Sequence, residues 1–562
     1  MADPIRFTFH LETRARPELA FRVISDTDAF NELAKAGMSF ETTNGPNGPV
    51  TMGSVGKLGM TIRWEEKPFT FRAPSWFRIQ RDFDSGPASR MTARAQIEPL
   101  AGGGAAIRYQ LEVIPKNALL RPVVNFDLKR TLEPQLRKAL TSMVTFLDSR
   151  ADDDLADLDP QALNPPPALT PTQAKVLLAK ASEMSPSPLV DRLVSFIRAA
   201  PLRDQYSMSA LAIAQAWASP LSNVAMLFVD AVRAGVLGVR LDLLCPACLV
   251  PKLALQGSDT AVSAHCDTCQ IRLDATFAES LAIHFFPSPD IRDLKQRIEC
   301  FGSPARTPHI VAQDNIAVGA TIDFAVPMSP GTYQVRTIPS SGPPALISVK
   351  ELEQQRRAEL QLTQTLHPQL LHLHPQTSLL NVTNQSQGSV IGILERVIPP
   401  RKVMSLGRML VEFPELKALV PFSGFLTSLN TFRGAALALR CASAESAEQA
   451  RGSLAGARLV HTSDIHVIAL YATAEQCILD ATASRKFWVM GGVAWGQVLE
   501  GLVGKTQVPA GPAVDRAYAA LCSSVPGDCS LFRESAENFE GTPLGFTRSE
   551  GAEMIHFTRI EG

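Results

Sequence analysis

The sequence predicts a multidomain α+β protein, and three observations carry that prediction. The chain has 562 residues, more than one hydrophobic core serves when a domain holds roughly 100–200. Runs of strand-like alternation and of helix-like periodicity occur in the same stretches, first of all within 1–150. An acidic and then proline-rich stretch interrupts them at 151–169.

Composition narrows the classes. The hydrophobic share of 45% lets each domain bury a core. Lys plus Arg is 54 against 55 for Asp plus Glu, a formal net charge of −1. That balance excludes a protein whose main business is coating nucleic acid or anionic lipid, and leaves room for a local basic patch. Glycine (35) and proline (41) exclude a collagenous or wholly disordered chain. The nine cysteines are odd in number and scattered, and the opening Met1–Arg14 has charges and no apolar segment. A cytoplasmic, reducing compartment is expected, with clustered cysteines read as metal ligands before disulfides. Gln205–Val229 carries no charge, but its Ser, Gln, Asn and Pro residues predict two helices split at Ser219-Pro220 and no transmembrane segment.

In residues 1–150, Ile5–Leu11 alternates as a strand and a helix starts at Pro17. Strand-like runs follow at Thr51–Leu58, Thr61–Glu65, Trp76–Phe83, Arg90–Glu98 and Ala105–Val113, the last two joined through Gly102-Gly-Gly. A long helix over Arg121–Leu147 closes the unit, with Val124, Phe126, Leu128, Leu132, Leu136, Leu140, Met143 and Phe146 as its apolar positions. This order resembles the START-like, polyketide-cyclase-like (SRPBCC) helix-grip fold. The resemblance implies a curved sheet around the closing helix and an apolar small molecule or lipid as ligand; a filled, purely structural module is the other reading.

The linker 151–169 holds Asp152, Asp153, Asp154, Asp157 and Asp159 and then Pro165-Pro-Pro. Its composition is expected to bury little surface. Residues 170–240 predict helices at Val190–Arg198, Ser209–Trp217 and Leu221–Ala234, ended by Gly235. They resemble a winged helix. Leu221–Ala234 carries Asp230 and Arg233 and is otherwise mostly apolar, too little polar surface to read bases, so no nucleic acid is expected as a partner.

The sharpest local signal lies in 241–300. Cys245-Pro-Ala-Cys248 is followed after 17 residues by Cys266-Asp-Thr-Cys269. Two such turns supply the tetrahedral thiolate shell that Zn2+ prefers, with no open position for water, so a structural zinc ribbon is predicted. His265 is a superfluous fifth donor. Short strand-like runs at Ile322–Val326, Gly331–Thr337, Ala345–Val349, Leu370–Leu373, Ser378–Thr383 and Ser389–Glu395 predict a small β-sandwich in 301–400.

Several spaced motifs stand in 170–400: Asp242-Leu-Leu-Cys-Pro-Ala-Cys248, His265-Cys-Asp-Thr-Cys269, Phe286-Pro-Ser-Pro-Asp-Ile-Arg292, Arg306-Thr-Pro-His-Ile-Val-Ala-Gln313, Pro330-Gly-Thr-Tyr333 and Leu394-Glu-Arg396. Together they resemble the region that precedes the catalytic domain in a group of bacterial class III adenylate/guanylate cyclases. The resemblance implies a ferredoxin-like, cyclase-type α/β domain in 401–562. Gly434–Cys441, Gly456–Leu470, Met490–Gly501 and Pro512–Ala519 fit its first strand, central hairpin, next strand and following helix in outline.

The chemistry that the resemblance implies is missing. Attack of a ribose 3′-OH on an α-phosphate needs two divalent cations held by carboxylates. The first carboxylate would fall near Arg440 or Cys441 and the second at Ile465, one residue from Asp464. On a strand, that offset turns a side chain to the other face. The purine-reading lysine falls at His461, and the transition-state Asn and Arg fall at Asp515 and Ala519. No catalytic residue is therefore assigned. The expected protein is a non-catalytic signalling or scaffold pseudoenzyme that dimerises or binds a protein partner through this domain. The alternative is an active class III cyclase converting ATP or GTP to the cyclic nucleotide, alone or as a heterodimer whose partner chain supplies the missing groups. Arg440, Lys505 and Arg516 are candidates for metal-free nucleotide contact.

Other patterns fall away. His367, His372 and His374 lack a nearby carboxylate or thiol in sequence and read as solvent-facing. Leu499 stands where a phosphate loop ending at Lys505-Thr506 would need glycine. Cys300, Cys441, Cys477, Cys522 and Cys529 have no ligand spacing and read as buried packing residues.

Overall fold

The computed structural model describes residues 3–559 apart from 46–47, 58–59, 156–159, 246–250, 256–262, 267–270, 275–280, 295–302, 340–341, 343, 352, 398–405, 414, 417–418, 420–426, 464–465, 504–505, 525, 540–545 and 551–553. In the N-terminal part, Ile5–Thr13 pairs antiparallel with Ala105–Pro115, Ile5 opposite Val113 and Thr13 opposite Ala105. The sheet continues through Ala88–Pro99 and Trp76–Phe83 to Thr70–Arg72. Met60–Glu66, Gly48–Lys57 and Met38–Gly45 branch from Trp76–Phe83. Burial alternates along Ala105–Pro115, so one face of the sheet is inside.

Three helices cover that face: Pro17–Ile24, Thr27–Leu33 (capped by the Asp26 carboxylate on the Ala29 N–H) and Glu133–Ser149. The last buries Leu136, Ala139, Leu140, Met143 and Leu147, spaced as one helical face. They share a core with Phe9, Phe30, Phe71 and Tyr109 and with the edge-to-face pair Phe21–Phe77. A sheet wrapped on a closing helix is the expected arrangement. The closing segment is not one regular helix, however. Arg121–Asp127 passes through a wide turn, Leu128–Leu132, into Glu133–Ser149. Phe126, expected on the apolar face, is 62% exposed.

Between this part and the helices, Pro160–Leu163 form a 3-10 turn. The Asn164 amide donates to the Ala29 carbonyl (3.2 Å), and Arg292 donates to the Pro167 carbonyl (3.0 Å). Pro171–Ala181, Pro188–Ala199, Leu202–Tyr206, Ala210–Ala216 and Leu221–Arg233 then pack into one core with Leu237–Leu244 and Leu281–Pro287. Thr170 and Gln173 form a reciprocal cap on the first of these helices. The helices meet at Ser219-Pro220 as expected, and among the described residues no helix is long and apolar enough to cross a membrane.

Residues 310–396 form two facing sheets. One contains Thr321–Met328, Gln376–Asn384, Arg357–Leu362 and Leu366–His367. The other contains Ile310–Ile316, Val390–Arg396, Gly331–Ile338, Ala345–Val349 and Leu370–Leu373. Phe324, Val335, Leu360, Leu380 and Leu394 are in the core between them. The second sheet does not end there. Ala312 pairs with Arg72 and Gln313 with Phe71, so the ladder runs on into the N-terminal sheet as one 13-stranded sheet.

In the C-terminal part, Thr427–Cys441 lies between His466–Tyr471 and Trp488–Val503, antiparallel to both. Leu459–Ser463 pairs outside His466–Tyr471. With the helices Ala444–Ser453 and Ala474–Ala483, the chain order is β-α-β-β-α-β. Asp528–Phe532 adds in parallel to Trp488–Val503, followed by Met554–Arg559 and Phe546–Glu550. Thr506–Ala510 folds back on Trp488–Val503, and the helix Pro512–Ser523 packs on it. Gly492 permits that approach, because a Cβ there would stand 2.1 Å from the Ala517 carbonyl oxygen.

Candidate functional site

Cys245 and Cys266, the described members of the two cysteine pairs, stand at strand ends. Cys245 follows directly on Leu237–Leu244, which pairs with Pro251–Leu255. Cys266 ends Ser263–Cys266, which pairs with Ile271–Asp274. Both thiols are fully buried in one core. Cys248 and Cys269 lie outside the described residues. Among the described residues, to which those two cysteines do not belong, no three metal-ligating side chains converge. Buried sulfurs at strand ends suit a thiolate shell for zinc.

Beneath the first knuckle, the buried Asp242 carboxylate accepts two bonds from Arg240 Nε (2.8 and 2.9 Å) and faces His284 Nδ1 at 2.8 Å. Arg240 stacks on the Tyr206 ring at 3.9 Å. Asp242 thus anchors the strand that carries Cys245.

Of the positions that the cyclase resemblance singled out, Arg440 lies near the end of Thr427–Cys441, opposite His466 and Met490. Its guanidinium is buried and donates through Nη2 to the Gln334 side-chain oxygen on the neighbouring sandwich. Burial and the Arg440 charge together hold the His466 imidazole down at about 3, so it is neutral at physiological pH. Cys441 is buried, which pushes its thiol up to about 12 and leaves it inert. His461 is buried opposite Ile468. Asp515 lies half-buried in the first turn of Pro512–Ser523, and Ala519 one turn on offers no polar group. Asp464, Ile465 and Lys505 lie outside the described residues.

Gln334 leads into a buried polar chain. Its amide donates to Glu395, and Arg336 grips the same carboxylate with Nε on one oxygen (2.9 Å) and Nη2 on the other (3.2 Å). His309 Nε2 stands 3.8 Å from Glu395 Oε2. Burial pushes the Glu395 carboxyl up, but Arg336, His309 and Gln334 outweigh it and hold it below the ordinary range. Burial lowers His309, assisted by Arg336, while Glu395 and Cys266 oppose. The chain therefore leads from His309, which feels the Cys266 side chain, through Glu395 and Gln334 to Arg440. Sequence motifs had flagged His309 and Glu395; nothing in the spacing linked them to Arg440.

A cleft of about 310 Å³ opens beside the helix Pro512–Ser523, lined by Glu412, Arg433, Gly496, Gln497, Pro512 and Arg516. Arg516 Nη1 is engaged by Glu534 at 2.9 Å, and Glu412 is engaged by Arg408 at 2.9 Å. Of the two described nucleotide-contact candidates, Arg516 lines this cleft and Arg440 points into the sandwich.

His367, His372 and His374 do not converge on a metal. His367 bonds Thr365 (2.7 Å), His372 lies 3.6 Å from Glu353, and His374 bonds the Pro375 carbonyl. Cys441, Cys477, Cys522 and Cys529 are buried and in no disulfide among the described residues, and Cys300 lies outside the described residues.

No family model matches the chain, and no curated protein matches it. Solved structures do. The Zhui aromatase/cyclase from a Streptomyces species is 12% identical, with 27% of this chain and 99% of that chain covered and a TM-score of 0.21. A START superfamily protein from Mycobacterium smegmatis is 19% identical, covering 25% and 98%, TM-score 0.20. Truncated norcoclaurine synthase from Thalictrum flavum is 14% identical, covering 26% and 96%, TM-score 0.20.

Proposed function

We propose that this chain is a non-catalytic signalling or scaffold protein. It joins a START-like module for an apolar small molecule to a structural zinc ribbon and a degenerate class III cyclase-type domain, which dimerises or binds a protein partner. The observation that carries this reading is Arg440. In the cyclase resemblance the first metal carboxylate would fall near Arg440 or Cys441, neither of which is a carboxylate, and Arg440 is committed to Gln334. A buried guanidinium at that point repels the divalent ions that such phosphoryl chemistry requires. The test is purified full-length protein with ATP or GTP and Mn2+. No cyclic nucleotide above background is expected; robust formation would overturn the reading. Formation only after adding a second chain from the same source would favour a heterodimeric cyclase instead.

In this reading Cys245, Cys248, Cys266 and Cys269 hold Zn2+ in a closed shell that contributes folding energy and no reaction. About one zinc per chain is expected by elemental analysis. Cys266→Ser should lower both the zinc content and the unfolding midpoint. Zinc content unchanged by Cys266→Ser would remove the ribbon from the proposal.

A further inference from the structure

The segment that opens the closing helix is apolar on two sides. Val124 and Leu128 face the N-terminal core and are buried. On the other side Leu119, Val123 and Phe126 are 88%, 59% and 62% exposed. Their spacing of i, i+4 and i+7 sets them along one side of a helical rod. A surface helix normally puts polar residues there.

The charges around this stripe are mostly basic. Lys116, Arg121, Lys129 and Arg130 are exposed beside it, and Asp127 is the one acid within 116–132. The whole chain is balanced, 54 basic against 55 acidic residues, so the excess is local. The Arg130 guanidinium lies 5.6 Å from the Phe126 ring centre, which lets its stem cover apolar surface while its charge reaches outward.

We infer that this face docks the N-terminal module on an anionic lipid surface. Leu119, Val123 and Phe126 would enter the acyl boundary, and the four basic side chains would meet the lipid phosphates. Charge complementarity selects the lipid: an apolar stripe with cations on its flanks matches the two layers of a bilayer interface. The inference is independent of the cyclase-type domain.

The experiment is co-sedimentation of the full-length chain with vesicles of phosphatidylcholine, with and without phosphatidylglycerol. Binding is expected with phosphatidylglycerol and should weaken steeply as salt rises. The double variant Val123→Asp with Phe126→Asp should lose about tenfold or more in partitioning, since it removes the buried apolar area and adds repulsion. Lys129→Glu with Arg130→Glu should lose a similar amount and most of the salt dependence. Unchanged circular dichroism and melting would show that the exposed substitutions left the fold intact. Equal partitioning of wild type and both variants, or no binding to the anionic vesicles, would overturn the inference. So would concentration-dependent self-association that Val123→Asp abolishes without any vesicle binding, which would make the stripe a contact between copies of the chain.

Discussion

The sandwich meets its two neighbours in unlike ways. Toward the N-terminal module the contact is a backbone ladder, Ala312 on Arg72 and Gln313 on Phe71. Side chains reinforce it: Gln313 donates to the Phe69 carbonyl (2.8 Å), and Arg72 reaches Asp314 (3.0 Å) and the Asp323 carbonyl (2.9 Å) while covering the Phe324 ring. Toward the C-terminal part there is no shared ladder among the described strands. That seam rests on side chains: Gln334 with Arg440, Thr332 on the Ser524 carbonyl, and Leu346 in the core with Ala436, Met490 and Leu521. A ladder fixes register and angle together. A side-chain seam depends on a few groups, some of them ionised, and is therefore the one that pH and single substitutions reach.

Arg72→Met is the strongest test of the first seam. It leaves Asp314, only 20% exposed, without its cation. A loss of about 3–5 kcal/mol is expected when a buried pair loses one member. Urea unfolding would read it. A loss under about 1 kcal/mol would mean that the ladder carries the seam without the side chain.

The second seam should answer to acid. The Glu395 carboxyl is held below its ordinary value, so its contribution is present above about pH 4.3 and is lost as pH falls through the lower folded value. Glu395→Gln should cost about 2–3 kcal/mol near neutrality by leaving Arg336 without its charged acceptor. The gap between wild type and variant should close as pH drops below about 4. A gap independent of pH would show that shape, and not charge, holds this network.

Much of this was legible in the chain, and the failures have physical causes. Trp76–Phe83 and Ala345–Val349 fall where alternation placed them. Cys245 and Cys266 stand at strand ends, and Cys248 and Cys269, the second member of each C-x-x-C, lie outside the described residues. Phe126 was misread because the wide turn at Leu128–Leu132 breaks the helical phase. One extra residue rotates the apolar face by about 100°, so a single periodicity cannot run through it. The Arg72–Ala312 pairing joins residues about 240 apart, and backbone pairing over that distance leaves no pattern in either segment. Arg440 was singled out by the cyclase resemblance. Its partner Gln334 was not, because a single neutral side chain on a strand carries no spacing signal.

The smallest effect discriminates most finely between the two seams. Thr332 is buried, and its hydroxyl donates to the Ser524 carbonyl at 2.8 Å. Ser524 is itself buried: its own hydroxyl donates to the Gly491 carbonyl at 2.7 Å, beside the close approach of Pro512–Ser523 to Gly492. Thr332→Val keeps the shape and removes one donor, so about 1 kcal/mol is expected. Hydrogen exchange shows where that energy lies. If the seam is a side-chain hinge, protection should fall in Pro512–Ser523 and Trp488–Val503 while Ile310–Ile316 keeps its rate, because its ladder to Thr70–Arg72 is untouched. Loss of protection spread equally over both sides would mean that the sandwich and the C-terminal part unfold as one unit, and the distinction between ladder and side-chain seam would then have no energetic meaning.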